Sequence, residues 1–162
     1  MSLTPLLDAP LQVQIHAFAA IAALLLGAVV LFRRKGTPFH KALGRVWAVL
    51  MLIAAGSSIF INEIRLIGPF SPIHIFSVVT FVGLAQGIRD IQRGNVRAHR
   101  AAMQGLYFCA LILAGAFTLL PGRRMHEVLF GAEAGWTPPL IVIALALTIS
   151  TALYVRLRRR QA

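Results

Sequence analysis

Four histidines fall into two pairs at nearly equal spacing: His16 and His40 are 24 residues apart, His74 and His99 are 25. An imidazole holds haem iron or another transition metal through one ring nitrogen. Facing imidazoles on neighbouring helices are how bundles carry such groups. The spacing belongs to a longer repeat. Residues 15–56 laid on 73–115 align Ile15-His16-Ala17-Phe18 with Ile73-His74-Ile75-Phe76 and Gly36 with Gly94. After one inserted residue, His40-Lys41-Ala42 meets His99-Arg100-Ala101, and the match closes with Leu52-Ile53-Ala54-Ala55-Gly56 over Leu111-Ile112-Leu113-Ala114-Gly115. A duplicated helical hairpin is expected. Packed about a pseudo-twofold axis, it would bring His16 towards His74 and His40 towards His99, giving two metal or haem b sites at two depths.

Neighbouring residues sharpen that expectation. Lys41, Arg45 and Arg100 lie near the His40/His99 pair and suit haem propionates or lipid phosphates, and Met103, one turn past His99, is an alternative axial ligand. Below His16 at helical spacing come Ala19, Ala20, Ala23 and Gly27. Gly44 follows His40, and Ala102 and Gly105 follow His99. Small residues admit a flat macrocycle or a second helix. Structural zinc asks for four nitrogen or sulfur ligands, and neither pair has a close Cys, Asp or Glu. Copper with methionine help is a weaker fit. A proton-coupled transporter needs an embedded acid and interrupted helices, whereas Glu63 and Asp90 sit at helix ends. Gly56-Ser57-Ser58 is only a weak echo of a protease nucleophile. No catalytic residue is assigned.

The elements that must position these side chains are membrane helices. The chain has 162 residues, 58% of them hydrophobic and 13% charged, with a mean hydropathy of +0.78. That leaves too little polar surface to cover a soluble globule. Apolar stretches run over 11–32, 43–62, 72–88, 101–121 and 137–155, each near the roughly 20 residues that cross a hydrocarbon core. Uninterrupted apolar runs exclude barrel strands. The expected fold is an all-α integral membrane protein, a four-helix bundle of two duplicated hairpins with one additional C-terminal transmembrane helix. It forms one membrane domain over 1–162, with hairpins at 11–56 and 72–121 and the extra helix at 137–157.

The net charge of +11 reports topology. Arg33, Arg34, Lys35, Lys41 and Arg45 fall between the first two spans, Arg89, Arg93, Arg97 and Arg100 between the third and fourth, and Arg156, Arg158, Arg159 and Arg160 after the fifth. Only Arg65, Arg123 and Arg124 lie on the other side, with Asp8, Glu63, Glu127 and Glu133. The positive-inside rule then puts the N-terminus outside and the C-terminus in the cytoplasm. The basic clusters read as lipid contacts, and no nucleic-acid partner is expected. Met1 to Pro10 lacks the basic region of a signal peptide.

Local signals place the histidines more closely. Gly36-Thr37-Pro38 and Gly94-Asn95 supply a turn glycine and an N-cap, setting His40 and His99 in the opening turns of helices. Gly68-Pro69-Phe70-Ser71-Pro72 does the same for His74. His16 sits about five residues inside its span. Trp136 and Tyr154 at the ends of the last span suit interfacial belts. Cys109 reads as a small packing residue and His126 as a solvated loop residue.

The chain resembles a family of bacterial membrane proteins known as domain of unknown function 2306. The resemblance rests on Arg34-Lys35-Gly36-Thr37 leading to His40-Lys41-Ala42-Leu43-Gly44-Arg45, on Pro72-Ile73-His74, and on His99-Arg100-Ala101-Ala102-Met103. It covers about 12–121 and implies a four-helix core without assigning a reaction. The layout is similar, more loosely, to cytochromes of the b561 class, which hold two b haems between four helices. The leading functional expectation is therefore a membrane oxidoreductase component. It would carry electrons across the bilayer on bis-histidine haem, with quinol or another redox protein as partner and homo-oligomerisation open. The alternatives are a non-enzymatic accessory or assembly protein with structural histidines, and a small transporter.

Overall fold

The computed structural model describes residues 2–61 and 74–159. Glu63, Arg65, the Gly68 to Pro72 loop signal, Ile73 and Arg160 lie outside the described residues.

Backbone contacts gather the chain into two compact units, Pro10–Leu111 and the segment through Ala9 with Ile112 onward. The first unit holds α2 (Leu11–Phe32), α3 (Pro38–Ser58), α4 (His74–Gln92) and α5 (Val96–Gly105), which continues as a π-helix over Leu106–Leu113. Close pairings run α2 with α3, α3 with α4, and α4 with α5. Each hairpin is thus an antiparallel pair. The second unit holds α6 (Ala114–Phe117), α7 (Arg124–Phe130) and the long α8 (Thr137–Arg159), with α1 (Thr4–Leu7) packed on α7.

Four helical stretches are long and apolar enough to cross a bilayer: Leu11–Phe32, Pro38–Ser58, Val96–Phe117 and Thr137–Arg156. They bury little of that apolar surface. Leu25 is 66% exposed and Leu145 57%, which water would penalise and lipid chains do not. The chain is an all-α membrane protein. The stretch 72–88, expected as the third of five spans, is not among the four. There α4 forms a 19-residue helix whose last turn carries Arg89, Asp90 and Gln92, so its described part is less apolar than the others.

Both hairpin turns are built alike. Gly36 (φ 80°) and Gly94 (φ 76°) take the left-handed conformation that glycine tolerates best. The next residue caps the following helix in each case. Thr37 Oγ1 accepts from the His40 backbone N–H at 3.1 Å, and Asn95 Oδ1 from that of Ala98 at 3.0 Å. The duplicated turn chemistry expected from the sequence is therefore present.

The small-residue stripe of α2 lies inward. Ala19, Ala23, Gly27 and Leu31 are its buried positions. Its partners are Trp47, whose indole N–H donates to the Ala23 carbonyl at 3.0 Å, and Tyr107, whose hydroxyl donates to the Leu24 carbonyl at 3.2 Å. A Cβ on Gly27 would sit 2.6 Å from the Trp47 indole nitrogen and 2.7 Å from the Tyr107 ring.

Candidate functional site

His16, at the sixth position of α2, sets its Nδ1 2.8 Å from the Ala54 carbonyl of α3. His99, in the first turns of α5, sets its Nδ1 2.8 Å from the Gly87 carbonyl of α4. A carbonyl only accepts, so in both rings Nδ1 carries the proton and Nε2 keeps its lone pair. His40 stands beside the Val30 carbonyl of α2. That oxygen already receives the Lys35 ammonium at 3.0 Å, and His40 Nδ1, though buried, makes no well-formed hydrogen bond among the described residues. The difference between the inner histidines has a local cause. The inserted residue moves the imidazole from the third helical position in α3 to the fourth in α5, about 100° round the axis.

His40 and His99 lie within electrostatic reach of each other, with Lys35 beside them. Lys35 reaches Arg100 in the same way. The ammonium of Lys35 turns back on α2, donating to the carbonyls of Val30, Leu31 and Arg33 and so closing the C-terminus of that helix. Burial, and then the Arg100 guanidinium, hold it below the usual lysine range. Arg45 and Lys41 are exposed. The Arg33 guanidinium lies 4.5 Å over the Phe39 ring.

At the opposite end of the hairpins, His74 opens α4, three residues before Ser77. The Ser77 hydroxyl meets that of Ser58 in α3 at 2.5 Å, and both serines are buried. Ser58 lies one turn beyond Ala54, the residue that holds His16. Both residues of the expected outer pair therefore stand towards the same end of the hairpins.

Among the described residues no three His, Cys, Asp or Glu converge in a metal-holding group. The donor chemistry of His16 and His99 suits a macrocycle bound through Nε2. The stripe does not supply its slot at Gly27, where Trp47 and Tyr107 fill the space. At Gly44 and Gly105 an added Cβ meets nothing within 4 Å among the described residues, so both positions face open space. Met103 packs its methyl and sulfur against Gly87.

A family model described as predicted membrane protein, DUF2306, matches residues 13–156. The chain belongs to this family. No curated protein and no solved structure matches it.

Two expectations are corrected. Cys109, expected as a packing residue, is exposed on the π-helical stretch. His126 is not a solvated loop residue. It is 2% exposed, with Nδ1 2.9 Å from the Leu119 carbonyl and Nε2 3.0 Å from that of Ala134. Sequence reasoning also passed over Lys35, Trp47, Gln104 and Tyr107. Gln104, a lone amide in an apolar span, was the one with a readable signal.

Proposed function

We propose that this membrane protein carries electrons across the bilayer on b-type haem, with His16 and His74 as one axial pair and His40 and His99 as the other. Arg45 and Arg100 would neutralise the propionates. One observation carries the reading: His16 and His99 each give Nδ1–H to a backbone carbonyl at 2.8 Å. Metal-ligating histidines are oriented in this way, since the second hydrogen bond fixes the tautomer and raises the basicity of Nε2. Bound haem would supply one-electron chemistry, and quinol or a redox protein would be the partner. The test is the absorption spectrum of the dithionite-reduced protein in detergent, with iron analysis. Soret and alpha bands are expected. Their absence from protein reconstituted with haem, together with no iron in the native preparation, would remove the proposal.

A second reading has its own support. Three aromatic side chains meet carbonyls across α2 and α3 at seven-residue steps: His40 at Val30, Trp47 at Ala23 and His16 at Ala54. Trp47 has no ligand lone pair, yet it occupies the same series. Histidines used as helix ties of this kind make the chain a non-enzymatic membrane component. It predicts a colourless protein in which His16→Ala lowers stability alone.

A further inference from the structure

His126 is enclosed from both sides. Its Nδ1 lies 2.9 Å from the Leu119 carbonyl oxygen and its Nε2 3.0 Å from that of Ala134, and the residue is almost wholly buried. A carbonyl oxygen only accepts, and a neutral imidazole has one N–H to give. With the proton on either nitrogen alone, the other would press its lone pair against an oxygen at hydrogen-bond distance. The ring that satisfies both contacts is the imidazolium, which donates twice.

The two carbonyls belong to opposite flanks of α7. Leu119 precedes that helix and the left-handed Gly122, while Ala134 follows it and the left-handed Gly131. One ring thus joins the chain entering α7 to the chain leaving it. Because α1 packs on α7, with Leu6, Ala9 and Val128 buried, the placing of α7 also sets the seat of α1.

The surroundings suit a cation. A charge taken out of water needs partners, and here it has two charge-assisted bonds. The Phe130 ring lies 5.3 Å away, centre to centre, within the distance at which an aromatic ring attracts a positive group. Among the described residues, the charged groups of the elements around His126 are Asp8 at the end of α1, Arg123, Arg124 and Glu127 at the start of α7, and Glu133 beside Ala134. The helix α8, which also packs on α7, has no titratable side chain before Tyr154. Carboxylates therefore outnumber guanidinium groups there, the reverse of the balance at the hairpin turns.

We propose that residues 119–134 form a pH-operated strap, which the His126 imidazolium holds closed on both flanks and which loses one flank when the ring gives up a proton. The neutral ring keeps one bond and turns a lone pair on the other carbonyl, whichever nitrogen is deprotonated. Acid therefore closes the strap and alkali loosens it. Imidazoles make this change between about pH 5 and 8. None of the four histidines of the haem reading takes part, so the strap stands whether or not the protein carries a pigment.

The test is amide hydrogen exchange of the detergent-solubilised full chain at about pH 5.5 and 8.5, on either side of that interval, with each rate divided by the intrinsic rate at its pH. The reporters are the amides of Glu127, Gly131 and Ala134, which bond to the carbonyls of Arg123, Glu127 and Gly131 within the strap. Expected is about tenfold greater protection at the lower pH, equivalent to about 1.4 kcal/mol. His126→Gln, whose side chain does not titrate, should give equal protection at both values. Equal protection at the two pH values in the unmodified protein would overturn the proposal, whatever the variant does, and so would greater protection in alkali. A pH dependence that survives in His126→Gln would overturn it as well, since another group would then be the sensor.

Discussion

Gly27 is roofed by Trp47: a Cβ added to the glycine would lie 2.6 Å from the indole nitrogen, and the Tyr107 ring closes the other side at 2.7 Å. Both aromatic groups are buried and tied to α2 carbonyls, so neither can move aside without losing its bond. Gly27→Ala should destabilise the detergent-solubilised protein by about 1–3 kcal/mol, the usual range for overpacking. Gly44→Ala, where nothing lies within 4 Å, should leave the melting temperature near that of the parent. Thermal unfolding of the pair checks this.

Trp47→Phe keeps most of the packing and removes the indole donor to Ala23. Interhelical hydrogen bonds in membrane bundles are worth about 0.6 kcal/mol on average, with a maximum near 1.7. A loss in that interval is expected by steric-trap or thermal unfolding. A loss of 3 kcal/mol or more would show that the aromatic ring, not its N–H, is the tie.

Gly36→Ala and Gly94→Ala place a Cβ on backbones at φ 80° and 76°. Each should cost about 1 kcal/mol, and the two costs should be similar, because the turns share a conformation and a following cap. Markedly unequal values would argue against equivalent turns.

Lys35 gives its ammonium to three carbonyls at the end of α2. Lys35→Met keeps the stem and removes the donors, and is expected to lower stability at neutral pH by about 1 kcal/mol, a modest figure because the group is partly solvated. The folded state holds this lysine below its ordinary range. Folding therefore works against its protonation, and the parent should gain stability as pH rises from that lowered value towards the unfolded one. The gain should vanish in Lys35→Met. Unfolding measured between neutral and alkaline pH checks the sign.

His126→Leu leaves the carbonyls of Leu119 and Ala134 without the ring that now faces both. A loss of about 1–3 kcal/mol is expected, with faster hydrogen exchange and proteolysis confined to the stretch around 119–134. Unchanged exchange there would contradict the role of the ring as a clasp.

What the sequence disclosed follows the range of the interactions. Thr37-Pro38 and Asn95 act on backbone groups three residues away, so their caps are legible in the linear order. The inward face of α2 is legible because Ala19, Ala23 and Gly27 recur at helical spacing. Lys35 reads as one more basic loop residue, since its carbonyl partners appear only once α2 has ended and the chain has turned. His126 reads as a loop residue because it lies in the connection from Pro121 to Pro139, whereas burial of its ring depends on Leu119 and Ala134 folding over it. The π-helical turns over Leu106–Leu113 leave no mark in a uniformly apolar run.

Each hairpin of the first unit carries its own left-handed glycine, its own cap and its own imidazole bond between its two helices, all made from that hairpin's own residues. Either pair can therefore settle in the bilayer during synthesis as a finished antiparallel couple, before the other half has left the ribosome. Assembly is then reduced to a meeting of two preformed wedges, which join at the hydroxyls of Ser58 and Ser77.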